Sequence, residues 1–578
     1  MHREAFLHLL AVARGDEPAD ILLRHARVVN VFTGEIYSAD VAIAGEWIAG
    51  VGEGYVGREI IDLHDQLLVP GLIDTHVHVE SSMCAPLQFA RAIVPHGVTT
   101  AVTDPHEIAN VAGVAGIRYM LAASEGLPLT IFVNLPSCVP ATHMGTAGAT
   151  LEAADLLPLA DLPRVLGLAE FMNVPGAVLG LPGALDKLLA FHGRHIDGHA
   201  PGVTGAWLQA YAAAGPATDH ESMTAAEALE KARLGIRVLA REATSARNLH
   251  DLLPVITSAN ARRFAFATDD RHPADLIEDG SIDHHLRLAI AAGLDPVIAV
   301  QMATLNAAEA FGLRDRGAIA PGRRADLVVT PSLEAFAATR VFSGGRLVAE
   351  DGGPVGNWPA PEISAELESA VLGSIHVEPA ALDFRIPAEG TRLRVIGVIP
   401  DQLVTEDRIL AARIENGEAV IDLERDLLKM ATIERHQETG NVGLGFVQGM
   451  GLQRGAIAGS VGHDCHNITV CGTDEAEMRA AVAAVKTLGG GLVAVLEGEV
   501  IGQVALPIAG LMSDQPVERV REEMDALLEA VARLGSPLHD PLMQLGFLAL
   551  EVIPKLKLTD LGLVDVDKFD FVPLWVED

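Results

Sequence analysis

The sequence predicts an α/β protein centred on a (β/α)8 barrel of the TIM type, and three observations predict it. Between residues 71 and 315, short β-rich runs alternate with Ala/Leu-rich helical stretches, the pattern of parallel strands joined by helical crossovers. The runs number eight: GLIDTHVHV, GVTTAVTD, LPLTIFVNLP, RVLGLAEFM, RHIDGHAP, PATDHES, IRVLARE and RFAFATDD. Eight such units suggest a closed barrel. An open doubly wound sheet is the alternative, and no GxGxxG fingerprint lies within these residues to support it.

The remaining elements fall in order around that region. Residues 1–70 open with MHREAFLHLLAVARGDEPAD, a short amphipathic helix that acidic residues break too early for a signal peptide. ILLRHARVVNVFTGEIYSADVAIAGEWIAGVGEG then alternates apolar and polar positions between turn signals, which predicts strands. Inside the barrel region, MTAAEALEKARL and IDHHLRLAIAAGL are helical. A second strand-rich segment, GAIAPGRRADLVVTPSLEAFAATRVFSGGRLVAEDG, fills most of residues 316–361. One small β-sandwich domain assembled from both flanks is the economical reading. From 362 to 578, the runs LRVIGVIP, EAVIDLE, NITVCG and GLVAVLEGEVIGQVAL mix with a long helix, VERVREEMDALLEAVARLG. This predicts an additional C-terminal α+β domain.

Composition limits the partners. A net charge of −35 repels nucleic-acid backbone and anionic membrane, so any nucleobase involved is expected as a free base. Four cysteines (Cys84, Cys138, Cys465, Cys471) without a CxxC pair make neither a disulfide framework nor a zinc knuckle. The longest uncharged stretch, Gly126 to Leu151, contains Pro128, Pro136 and Pro140 and reads as no membrane span. A cytoplasmic location is expected, and a homo-oligomer is the default.

Barrels of this type carry their chemistry at the C-terminal ends of the strands. Six candidate metal ligands occur there: His76 and His78 in IDTHVHVE, Glu170 in LAEF, His199 in DGHAPG, His220 in TDHES and Asp269 in FATDD. His76 and His78 are two apart, so a strand puts both imidazoles on one face, where they can grip one ion. HxH alone is a weak signal; further histidines and carboxylates ending other strands strengthen it. Imidazoles with carboxylates and no thiolate suit Zn(II), Fe(II) or Mn(II). Such an ion lowers the pKa of bound water, giving hydroxide at neutral pH. Asp269, closing the last strand, is placed to shuttle protons, and Asp270 to orient a ligand. Asp104, His106 and Glu107 in TDPHEIAN fit base recognition or an outer ligand on one reading and loop capping on the other. Ser81, Ser82, Glu221 and Arg271 are weaker candidates for orienting groups. In SVGHDCHN, His463 and His466 flank Asp464 and Cys465; no second cluster completes a metal site, so the segment reads as shaping or covering the pocket, or as structural. Arg435 and His436 share that ambiguity.

PGLIDTHVHVESSM, GVTTAVTDPHEIANV, LAEFMN, DGHAPG, TDHE and FATDDRHP resemble the adenine deaminase family of the amidohydrolase superfamily. The resemblance continues through GLGFVQGMGLQRGAIAGSVGHDCHNITVCG and FLALEVIPKLKLTDLGLVDV, so it covers nearly the whole chain. It implies hydrolytic deamination of adenine to hypoxanthine in purine salvage. It also implies a binuclear manganese or iron centre held by His76, His78, Glu170, His199, His220 and Asp269. Many superfamily members bridge their metals with a carbamylated lysine from the fourth strand. Here the only lysines before residue 330 are Lys187 and Lys231, both in helical segments. Glu170 stands at the lysine's place and either bridges the metals or protonates the purine ring. Catalysis is assigned to Asp269 and Glu170. Two alternatives remain: a cyclic amidohydrolase of the dihydropyrimidinase or hydantoinase kind, which usually keeps that lysine, and a non-catalytic scaffold that has lost its metals.

Overall fold

In a computed structural model describing residues 2–400 and 402–577, the eight runs form the eight strands of the barrel. They are β1 (Leu72–Val77), β2 (Val98–Thr103), β3 (Thr130–Leu135), β4 (Val165–Phe171), β5 (His195–Gly198), β6 (Thr218–Asp219), β7 (Arg237–Arg241) and β8 (Phe264–Ala267). β1 to β5 form one parallel ladder and β6 to β8 a second. Two seams close the ring. Ala217 N donates to Ile196 O at 2.9 Å between β5 and β6, and Asp269 N donates to His76 O at 2.9 Å between β8 and β1. β1, β2 and β8 are buried at every position, as parallel strands covered on both faces must be. β6 is shorter than its run because His220 and Glu221 leave the ladder for the barrel mouth.

Helices cover the barrel. Ala225–Arg233 starts where the Thr224 hydroxyl accepts from Glu227 N, and the exposed Ala226 and Arg233 mark its solvent side. Ile282–Ala291 buries Ile282, Leu286 and Ala289 at helical spacing.

The two flanks share one nine-stranded sheet. The strand Leu67–Pro70 pairs antiparallel with Leu327–Thr330, joining segments from opposite sides of the barrel. Val28, Val41 and Leu68 from one flank pack with Leu327, Val329 and Phe342 from the other, so neither half buries its apolar face alone. At the C-terminal end, a second nine-stranded sheet carries the helices Glu475–Leu488 and Val517–Leu534. The long helix buries Val517, Val520, Met524, Leu527 and Val531 and stops at Gly535, whose φ of 114° closes its C-terminus. The C-terminal domain packs against the barrel mouth. Thr142 Oγ1 donates to Glu551 Oε1 at 2.6 Å, and Asn467 Nδ2 donates to Thr146 O at 2.9 Å. Among the described residues, no helix is long and apolar enough to cross a membrane.

Candidate active site

The six predicted ligands meet at the C-terminal mouth of the barrel. His76 and His78 present their Nε2 atoms to each other at 3.2 Å. Asp269 Oδ1 lies 3.2 Å from His78 Nε2 and 3.8 Å from His76 Nε2. Glu170 occupies the centre: Oε1 is 3.4 Å from His78 Nε2, while Oε2 is 2.5 Å from His199 Nδ1 and 3.1 Å from His220 Nε2. The His220 ring stacks on His76 at 3.8 Å between centroids. Two groups emerge around a shared carboxylate, His76–His78–Asp269 on one side and His199–His220 on the other.

The tautomers follow from the partners. His78 Nδ1 is 3.0 Å from the Asp104 carbonyl, which can only accept, so Nδ1 carries the hydrogen. His76 Nδ1 is 2.9 Å from Asp197 Oδ2 and is likewise the donor. Both Nε2 lone pairs then face each other and the Asp269 carboxylate, an arrangement that repels unless a cation sits between them. The buried His220 Nδ1 has no partner. Burial opposes charge on His78, yet Asp269 and Glu170 outweigh it and draw the imidazole's pKa well upward. The site therefore calls for positive charge at its centre, and nitrogen and oxygen donors without sulfur fit divalent metal ions.

The carboxylates are held ionised. Burial alone would raise Glu170; the His199 charge and hydrogen bonds from His106, His199 and His220 hold it well below the usual range. Burial likewise opposes ionisation of Asp269, and Arg241 followed by His78 outweighs it. Arg241 Nη1 donates to Asp269 Oδ2 at 2.7 Å, and Nη2 donates to Glu221 Oε2 at 3.0 Å and to Asn248 Oδ1 at 3.1 Å.

The other candidates separate. His106 Nδ1 lies 3.1 Å from Asp104 Oδ2 and 3.2 Å from Glu170 Oε1, so it touches the ligand cluster. Asp104 Oδ1 is buried without a partner. Glu221 reaches only 4.0 Å from His199 and His220 and is engaged by Arg241. Ser81 donates to Asp270, whereas Ser82 caps its own turn at Val79 O, 2.6 Å away. Arg271 points to Asp275 and Asp279, away from the ligands. Glu107 completes the His463–His466 cluster from across the domain boundary, which the sequence did not reveal.

Sequence reasoning missed Asp197, Arg241, Glu80 and Phe547. Asp197 stood two residues before His199 in IDGH, so strand periodicity could have placed it on that face. Asp197→Asn is expected to weaken metal affinity or turnover about 10–100-fold, because the amide cannot fix the His76 tautomer as a carboxylate does. Titrating the apo variant with manganese and counting bound metal checks this; an unchanged affinity would show that His76 needs no such partner.

Near the ligands lies a cavity with Glu80, Glu107 and Asp270 on the barrel side. Met524, Leu542 and Phe547 line it from the C-terminal domain. Burial raises the Glu80 carboxyl to about 7, and its Oε2 has no partner. An apolar slot with a few polar groups suits a flat heteroaromatic ring.

Comparison with known proteins places this geometry. Residues 67–348 match the Amidohydrolase family, and residues 402–570 match the Adenine deaminase C-terminal domain. A protein of Desulfatibacillum aliphaticivorans named adenine deaminase is 51% identical over 98% of this chain and 99% of its own. One of Methylobacterium nodulans with the same name is 51% identical over 97% and 98%. Adenine deaminase 2 of Carboxydothermus hydrogenoformans is 50% identical over 98% and 99%.

Proposed function

We propose a reaction and a division of labour from one premise: the chain belongs to the adenine deaminase family. The reaction is the hydrolytic deamination of adenine, in which water adds at C6, the C6–N bond breaks, and hypoxanthine and ammonia leave. One observation carries this reading. The six-residue cluster lies beside a largely apolar cavity, reached through Asp270 next to Asp269 and Glu107 next to His106, whose far wall is the C-terminal domain.

A divalent pair, manganese or iron, would supply a water acidic enough to lose a proton at neutral pH. His76, His78 and Asp269 would hold one ion, and His199 and His220 the other. Glu170, whose two oxygens face the two histidine groups separately, would be shared between them. Asp269 accepts the proton of the attacking water and returns it to the departing amino group. Arg241 keeps Asp269 ionised and fixes its Oδ2. Asp104, His106 and Glu107 face the base: Asp104 Oδ1 is free to accept, and Glu107 lines the cavity. A proton placed on ring N1 relieves the negative charge that attack builds in the ring. We read the enzyme as a cytoplasmic homo-oligomer of purine salvage; its strongly acidic chain suits a free base rather than a polymer.

The test is ammonia release from adenine by apoprotein reconstituted separately with manganese and iron, beside ring opening of dihydropyrimidines. Chelation is expected to abolish ammonia release and either metal to restore it. Ring opening without ammonia release would favour the cyclic amidohydrolase reading.

A further inference from the structure

The far wall of the pocket carries groups that the reaction above does not use. His463 and His466 stand in the loop between the C-terminal-domain strands Ala456–Gly459 and Ile468–Gly472. They reach Glu107, in the first turn of the helix His106–Ala123 that follows β2. His463 Nδ1 lies 2.9 Å from Glu107 Oε1, and His466 Nε2 is hydrogen-bonded to Glu107 Oε2. Each oxygen of one barrel carboxylate thus meets one imidazole of the other domain. On the barrel side, His106 Nε2 is 3.5 Å from Glu107 Oε1, and its Nδ1 is 3.2 Å from Glu170.

The loop is built to hold both rings still. Arg435 is fully buried and donates to the carbonyls of His466, Ser374 and Ala509. His436 Nε2 is 2.7 Å from the Cys465 carbonyl. His466 has a φ of 54°, a left-handed conformation that persists in a non-glycine residue only where the surroundings over-determine it. His463 lies flat on Phe547, with centroids 4.4 Å apart and ring planes 5° from parallel. The three side chains have the donor types of a metal site. Each contact is already complete as an imidazole N–H to a carboxylate oxygen, and so requires no ion.

We propose that His463 and His466 are positioning residues for substrate: from the C-terminal domain they hold Glu107 aimed into the cavity as an acceptor for a purine N–H. This rests on the adenine reading above. A carboxylate offers about four lone-pair sites, of which the histidines occupy two. Free adenine carries an N–H on its five-membered ring, where a nucleoside carries ribose, so an acceptor fixed there selects the free base. Without the two imidazoles, Glu107 is a buried carboxylate whose nearest partner is His106, and turning towards it takes the acceptor off the substrate.

The test uses metal-loaded full-length protein with His463→Leu and His466→Leu, beside His463→Gln, which retains a donor. Each Leu variant is expected to raise KM for adenine roughly tenfold or more, with kcat changed less, and metal content and melting temperature as in wild type. His463→Gln is expected to recover most of the loss. The double Leu variant is expected to be no worse than Glu107→Gln, as for groups acting as one unit. If a Leu variant does not fold, Glu107→Gln must itself show the rise in KM. Wild-type KM in the folded Leu variants, or in Glu107→Gln, overturns the proposal. So does loss of a metal equivalent on removing either histidine, which makes the cluster an ion site. A wild-type protein that releases no ammonia from adenine overturns the functional reading and this one together; wild-type turnover with unaffected variants overturns this one alone.

Discussion

Asp269→Asn is expected to lower kcat for adenine by roughly 10²–10⁴-fold, the range of a lost general acid–base group, with the fold intact. Asp269 contacts both partners it needs: Oδ1 faces His78 at 3.2 Å, and Oδ2 is held by Arg241 at 2.7 Å. Asparagine keeps the volume and tolerates the left-handed backbone at this position, where φ is 58°. What it cannot do is accept a proton or balance Arg241, which is left with Glu221 as its only carboxylate. The loss is therefore expected in kcat, with a smaller change in KM. Steady-state kinetics on the manganese-loaded variant decide it. Near-normal turnover would remove Asp269 from proton transfer.

Glu170→Gln tests the centre of the site and has the other large effect. Four imidazoles surround this carboxylate, with contacts of 3.4 Å to His78, 3.2 Å to His106, 2.5 Å to His199 and 3.1 Å to His220. Glutamine offers one neutral oxygen and turns an NH2 group towards at least one imidazole pair. Removing a group that merely orients a ligand typically weakens metal binding 10–100-fold; a group between both ligand sets is expected to exceed roughly 100-fold. Metal analysis should show fewer ions bound per chain, with ammonia release falling in step. Full metal content with a lost kcat would instead assign Glu170 to protonating the ring.

Much of the architecture was legible because its signals are local. Eight β-rich runs, each with its own turn and helix, announce parallel strands, and the HxH pair announces a shared face through strand periodicity alone. All six ligands sit at or just past strand ends, so naming them required only strand order. Partners that approach from far along the chain left no such mark. Strand spacing could place Asp197 on the inner face but could not name His76, 121 residues away, as its partner, and His463 meets Glu107 across 356. Glu221 follows β6 and Arg241 ends the neighbouring β7, but nothing local says that Arg241 also turns to Asp269.

By itself the sequence determined the barrel, its ligand-bearing strand ends and the family, since each is written in short-range spacing or in motifs carried along the chain. Only the tertiary structure decided which carboxylate each imidazole faces, which tautomer it adopts, and that the C-terminal domain walls the pocket and grips Glu107. Those choices depend on where chain closure and burial bring distant side chains, and on which lone pairs are then left to face one another in a site that calls for a cation.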